Sequence, residues 1–151
     1  LLKFSKFPDR RVQSKVAKIL GRTVDSVDAV EELFANTDPR VRANLLEGIS
    51  RRQEIGVFQT FIERGVKDQN HHVSSFALAI KGRQGHAGSK ALMRLRGNSK
   101  TEILRKTAEY ADSIVNGSGV VAETAVVAAV AEVDSQAESH PDNQPKPILQ
   151  S

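Results

Sequence analysis

NTDPRVRANLLEGI, residues 36–49, is the stretch of sequence that decides the fold. Asp38 is a good helix N-cap, because its carboxylate can accept hydrogen bonds from the free backbone N–H groups of the first turn. Pro39 then occupies the first helical position, where its missing N–H costs nothing and its fixed φ suits a helix. Apolar side chains follow in one stripe, at Val41, Leu45, Leu46 and Ile49. The stretch therefore predicts a tight turn followed by an amphipathic helix that packs back on the helix before it.

Similar units recur along the chain and set a period. Each predicted helix begins at a capping residue, and a branched apolar residue follows three or four positions later. The four pairs are Asp9 and Val12, Asp38 and Val41, Asn70 and Val73, and Ser99 and Ile103. Their apolar members are 29, 32 and 30 residues apart. A period of about 30 residues, built from two short antiparallel helices, is typical of an α-solenoid.

This period predicts an all-α fold. We expect a right-handed α-solenoid of antiparallel helix hairpins, with about three full repeats plus flanking half-repeats. No stretch alternates convincingly between apolar and polar residues, so no strands are predicted. The first helix is expected to end at Gly21 and to bury one face, made of Val12, Val16, Ala17, Ile19 and Leu20. The alternative is an irregular helical bundle whose spacing arose by chance.

The run DPRVRA at residues 38–43, followed by Leu46 and Gly48, resembles HEAT repeats, in particular the short bacterial kind also seen in phycobilisome-lyase-like proteins. The resemblance covers about residues 9–117. It implies that Asp38 lies in the turn within a repeat and that the Val-Arg pair opens the second helix, which lines the concave surface. The other units carry a different residue where this one has Arg42, namely Gln13, Ser74 and Leu104. The Asp–Arg ladder that braces neighbouring HEAT repeats is therefore expected once at most.

Composition divides the chain into two parts. Residues 1–134 are predicted to form the solenoid, as a fragment of a longer array, since the first residue is Leu rather than Met. Residues 135–151 are polar and carry three of the five Pro, so we expect a disordered tail. A short linear motif around residues 145–149 is the alternative for this tail. No apolar run approaches the roughly 18–20 residues that span a membrane, and a cytoplasmic location is expected.

The residues that carry most enzyme chemistry are absent or poorly spaced. The 151-residue chain has no Cys, which excludes disulfides and thiolate metal ligands, and it has no His-Glu dipeptide of the kind expected in HEAT-type di-iron hydroxylases. His71 and His72 are adjacent, hence about 100° apart on a helix, and cannot readily converge on one ion. The glycine-rich segment 82–88 follows a predicted helix and lacks the Lys-Ser/Thr pair of a phosphate-binding loop. We therefore predict no catalytic residues, no metal site and no cofactor.

Charge is the remaining signal. The predicted inner helices carry a net positive charge, whereas the predicted outer helices carry a net negative one. This distribution predicts a basic ridge along the concave surface, formed by Arg11, Lys15, Lys18, Arg40, Arg51 and Lys81. The alternative is that these charges only solvate helix faces.

The expected function is that of a non-catalytic protein–protein interaction module or regulatory scaffold, which binds a protein with an acidic surface through the ridge. Nucleic-acid binding by the same ridge is the alternative. A protein partner is preferred, because the positive charge fades by the fourth inner helix and the aromatic residues fall on predicted core stripes. The family likeness alone adds a third possibility, a lyase or isomerase that acts on a linear tetrapyrrole. The oligomeric state is left open.

Overall fold

The computed structural model describes residues 8–117, and within them the chain is helical. Seven α-helices follow one another: α1 (Arg10–Thr23), α2 (Val27–Phe34), α3 (Pro39–Ser50), α4 (Gln59–Val66), α5 (His71–Arg83), α6 (Ala87–Gly97) and α7 (Glu102–Asn116). A short 3₁₀ helix, Gly56–Phe58, precedes α4. Residues 8–117 contain no strand, which confirms the predicted all-α class. Residues 8–117 belong to one compact unit.

The turns before α3, α5 and α7 share a hydrogen bond to the capping residue; the capping side chains of α3 and α5 also bind the first turn of the helix, whereas Thr101 of α7 does not. Asp38 caps α3, and its carboxylate accepts from the backbone N–H of Arg40 at 2.9 Å. The side chain two residues before the cap in turn accepts from the N–H of the capping residue. This second bond joins Asn36 to Asp38, Asp68 to Asn70, and Ser99 to Thr101, at 2.8–3.1 Å. A polar residue two positions before the cap therefore fixes each turn at the start of α3, α5 and α7.

The cap of α7 corrects one sequence-based prediction. Thr101, not Ser99, is the N-cap of α7. The position equivalent to Val41 and Val73, both fully buried, is therefore Leu104 rather than Ile103. Ile103 is 58% exposed, since it lies about 100° further round the helix.

The odd-numbered helices pack in sequence along the described part of the chain. α1 packs on α3, α3 on α5, and α5 on α7. Asn44 donates to the carbonyl of Ser14, and Gly48 lies against Gly21, so α1 and α3 run in the same direction. α5 and α7 also run in the same direction, because Phe76 packs on Tyr110 near their middles and Arg83 reaches the carbonyl of Val115 near their ends.

Of the predicted face of α1, Ala17 is the one residue that is fully buried. The buried residues of α1 are small: Ser14, Ala17 and Gly21. Val12 is 40% and Ile19 is 60% exposed. Small side chains bury little area, yet they allow α3 to approach closely enough for backbone-to-backbone contact. α1 also continues past the predicted end at Gly21 and stops at Thr23.

α3 and α5 form the centre of the packed structure. Residues 45–50 of α3 and residues 73–80 of α5 are buried without interruption. Consecutive residues of a helix point about 100° apart, so an unbroken run of this length means that the helix is covered on every side. For α5 the neighbours are α3, α4, α6 and α7.

Several predictions about the ends of the chain lie outside the described residues. These are the part of the predicted solenoid that falls in residues 118–134, the disordered tail at 135–151 and the linear motif around 145–149. The solenoid arrangement of repeats, with its right-handed sense, stays a prediction.

Candidate interaction surface

The structure distributes the six residues of the predicted basic ridge over three helices. Arg11, Lys15 and Lys18 lie on α1, Arg40 lies in the first turn of α3, Arg51 follows its end, and Lys81 lies in the last turn of α5. Arg11, Lys15 and Arg40 are exposed, whereas the other three are partly buried. The six residues therefore fall into an exposed group and a group that takes part in packing.

Lys18 and Arg51 both lie against a buried carboxylate of α3. The side chain of Glu47 is 1% exposed, and its Oε1 lies 2.7 Å from Lys18 Nζ and 3.7 Å from Arg51 Nη2. Removing a carboxylate from water costs several kcal/mol, roughly, unless cations are close to it. The two cations compensate the charge of Glu47, and Lys18 thereby ties α1 to α3.

Lys81 forms a second internal ion pair, between α5 and α4. Its Nζ lies 2.6 Å from Oε1 of Glu63. The hydrogen bond that Lys81 donates lowers the pKa of the Glu63 carboxyl below its ordinary value, and a further bond from Gln59 acts in the same direction. Like Lys18, Lys81 contributes to the packing of adjacent helices.

Arg40 lies at the surface beside the cap of its own helix. Its guanidinium donates to both carboxylate oxygens of Asp38, at 3.2 and 3.1 Å, while its side chain stays 65% exposed. These bonds hold the pKa of the Asp38 carboxyl below its ordinary value of 3.8. The hydroxyl of Ser14 reaches the carbonyl of Arg40 at 3.4 Å, so Arg40 lies next to the N-terminal half of α1.

The exposed side of α1 carries more cations than the predicted ridge included. Arg22 lies seven residues after Lys15, which places both side chains on nearly the same side of the helix. Within residues 8–117 neither has an ion-pair partner. The spacing of Lys15 and Arg22 in the sequence was the signal that could have found Arg22.

Arg42 links two successive turns through an ion pair with Asp68. Its Nε and Nη2 donate to the two carboxylate oxygens of Asp68 at 2.8 and 3.1 Å, and its Nη1 donates to the carbonyl of Asn36 at 2.7 Å. One side chain of α3 thus joins the turn before its own helix to the turn before α5. Over residues 8–117, a bidentate Arg–Asp pair between successive turns occurs once.

Arg96 is a partly buried cation on α6. Its Nη1 donates to the hydroxyls of Ser74 and Ser75, both at 2.9 Å. Burial lowers the pKa of this guanidinium. Arg96 therefore anchors α6 on the first half of α5, while Arg94 on the same helix is exposed.

A groove of about 630 Å³ lies between α5, α6 and α7. Its buried lining residues include Ala79, Met93 and Ala108, and its exposed lining residues bear opposite charges. The cations come from α5 and α6 and the carboxylates from α7: Arg83, Lys90, Arg94, Glu109 and Asp112. The groove has no histidine in its lining and no nucleophile beside a base.

The histidines give no metal centre in the described part of the chain. Burial lowers the pKa of the His72 imidazole, and the charge of His71 lowers it further. Residues 8–117 contain no cluster of three or more His, Cys, Asp or Glu side chains arranged to bind a metal ion. Over the same residues, the helices are too short or too polar to cross a bilayer.

No match to this chain was found among protein-family models, curated proteins or solved structures.

Proposed function

We propose that this protein is a non-catalytic interaction module that binds an acidic protein surface through the exposed side of α1 and the adjacent Arg40. The observation that carries the proposal is the separation of the cations into two groups. Lys18 and Arg51 lie against the buried carboxylate of Glu47, and Lys81 pairs with the half-exposed carboxylate of Glu63. Lys15 and Arg22 have no such carboxylate within residues 8–117. These exposed cations attract an acidic partner without disturbing the packing.

A protein partner accounts for this surface better than a nucleic acid does. Proteins that bind single strands stack bases on exposed aromatic rings. Phe34, Phe58, Phe61 and Phe76, the phenylalanines of residues 8–117, are buried in the core. Within residues 8–117, a surface with exposed cations but no exposed phenylalanine rings favours a protein partner that bears carboxylates. Each cation–carboxylate contact is then modest in energy and sensitive to salt.

We further propose that the framework is a short right-handed solenoid of HEAT-like hairpins, α2–α3, α4–α5 and α6–α7, preceded by α1. The N-caps Asp9, Asp38, Asn70 and Thr101 are 29, 32 and 31 residues apart, and the odd-numbered helices pack in sequence. The test is an experimental structure of the chain. Successive hairpins must be related by a nearly constant right-handed rotation, whereas a variable rotation would identify an irregular bundle.

The binding proposal is tested with a fluorescent poly-glutamate peptide of about 20 residues, titrated at about 50 and about 300 mM salt. We expect the double variant Lys15→Glu/Arg22→Glu to bind roughly tenfold more weakly at the lower salt. The matched control, Lys67→Glu/Lys100→Glu, changes net charge equally at two exposed sites away from α1, and we expect it to lose less than about threefold.

Two outcomes would overturn the proposal. Equal losses for the two double variants would mean that net charge alone attracts the peptide. A single-stranded oligonucleotide of the same charge, if it binds more tightly than the peptide at both salt concentrations, would assign the surface to nucleic acid instead.

A further inference from the structure

We infer that the exposed side of α1 binds one kind of element, an amphipathic helix with acidic flanks. The inference rests on the proposed function and names its partner more closely. It starts from the exposed branched residues Val12 and Ile19, which the structure leaves outside the core.

The exposed apolar residues of α1, Val12 and Ile19, and the half-buried Val16 between them follow the spacing of a helix–helix seam. Val12, Val16 and Ile19 are separated by four and then three residues, and Thr23 continues the series four residues later. Alternating steps of three and four residues place side chains in the a and d positions of a heptad, which is how one helix meets another along its length. We define Val12, Val16, Ile19 and Thr23 as the α1 seam.

The α1 seam lies on the side of the helix that faces away from α3. Ser14, Ala17 and Gly21 are buried against α3. Val12 is two residues from Ser14, and Ile19 is two residues from both Ala17 and Gly21. Two residues correspond to about 200° around a helix. α1 therefore contacts α3 with its small residues, while Val12 and Ile19 are exposed on the opposite side and Val16 between them is half-buried.

Charge beside the α1 seam selects the partner. In the heptad that places Val16 and Thr23 at position a, Lys15 and Arg22 occupy position g. Side chains at g pair across a helix–helix interface with flanking side chains of the other helix. Two cations at successive g positions, neither paired within residues 8–117, are complementary to glutamates on the flank of the partner helix. A second copy of this chain in antiparallel orientation would instead oppose cation to cation.

The probe for the test is a peptide of three heptads, about 21 residues, with Leu at a and d and Glu at e and g. A shuffled peptide of the same composition keeps the charge but breaks the three-four spacing. We expect the ordered peptide to bind at least about tenfold more tightly than the shuffled one, because only it can bury the α1 seam.

Point variants connect this preference to the α1 seam. Ile19→Asn is expected to remove the advantage of the ordered peptide, whereas Leu95→Asn, at a similarly exposed leucine of α6, is expected to leave it unchanged. Both positions are exposed, so circular dichroism melting should show that both variants fold.

The outcomes separate the inference from the function on which it rests. Equal, salt-sensitive binding of both peptides would leave the proposed function in place and overturn the helical partner. Failure of both peptides to bind would overturn the proposed function itself. If sedimentation shows that the free protein is a dimer and that Ile19→Asn makes it a monomer, then the α1 seam is covered by a second copy and the inference is wrong.

Discussion

Gly21 of α1 and Gly48 of α3 lie backbone to backbone, and neither position has room for a side chain. A Cβ atom added to Gly48 would lie 3.0 Å from the Cα of Gly21, and it would also overlap the carbonyl of Lys18. A Cβ atom added to Gly21 would lie 3.1 Å from the backbone nitrogen of Ile49. Backbone atoms cannot rotate away as the end of a flexible side chain can. The two glycines therefore set both the distance and the register between α1 and α3.

Replacement of Gly48 tests this close approach. We expect Gly48→Ala to lower the free energy of unfolding by about 1–3 kcal/mol, because the methyl group forces the helices apart. Gly97→Ala is the matched control, since that glycine has no neighbour within 4 Å of an added Cβ. It should be neutral or stabilising by up to about 1 kcal/mol through helix propensity. Urea unfolding measures both, and equal losses would mean that α1 and α3 can separate freely.

The stripe on α3 is confirmed as core, since Leu45 and Ile49 are fully buried. Leu45→Ala should lower the free energy of unfolding by about 2–5 kcal/mol, the range for a leucine in a close-packed interior. Leu95→Ala on α6 removes the same atoms from an exposed site and should cost less than about 0.5 kcal/mol. A thermal melting curve for Leu45→Ala that overlays the wild-type curve would contradict the packing of α3.

Lys18 and Lys15 of α1 are expected to contribute differently to folding stability, because Lys18 lies against the buried carboxylate of Glu47. Lys18→Met removes the cation that lies 2.7 Å from Glu47 and leaves Arg51 at 3.7 Å. We expect a loss of about 2–4 kcal/mol in the free energy of unfolding, because a buried charge loses its closer partner. Lys15→Met, three residues earlier and exposed, should change it by less than about 0.5 kcal/mol. Adding Glu47→Met to Lys18→Met should restore much of the loss, and failure to do so would contradict the charge argument.

Protonation of the Asp38 carboxyl is expected to contribute to the loss of folding stability at low pH. Its pKa in the folded protein lies below the ordinary value of 3.8, since Arg40 stabilises the ionised form. The resulting stabilisation is fully present above pH 3.8 and is lost as the pH falls through the folded-state pKa. Asp38→Asn keeps a side chain that caps helices well but removes the titrating group. The variant should lose less stability than wild type between pH 5 and pH 2, and parallel losses in urea unfolding would contradict this expectation.

The helices and their turns could be predicted because local chemistry specifies them. Asp38 and Pro39 fix the start of α3, and the stripe from Val41 to Ile49 identifies its buried side without tertiary information. The same method misplaced most of the buried face of α1, because hydrophobicity favoured Val12 and Ile19, whereas the close approach of α3 requires small residues such as Ser14 and Gly21. The side of α1 that packs on α3 is set by the fit between the two helix surfaces, and the sequence of one helix does not reveal the surface of its neighbour.

The basic residues were harder to interpret than the helices. Lys18 and Lys15 have the same side chain and lie one turn apart, yet Lys18 meets Glu47 from another helix and Lys15 does not. The pairing depends on an approach of α1 to α3 that the sequence does not encode locally. Residue type therefore predicted the sign of the surface charge, but it could not separate the cations available to a partner from those that hold the helices together.

The unbroken buried runs in α3 and α5 also limit how the length of the chain can change. Inserting or deleting one residue within 45–50 or 73–80 would turn everything beyond it by about 100°. In a helix with one exposed side, such a rotation can be absorbed where the polar face begins. α3 and α5 have no such side there, so every rotated residue would arrive where a different neighbour already lies. Changes in length should therefore be tolerated in the connections, such as residues 52–55 between α3 and the 3₁₀ helix, and not within these two runs.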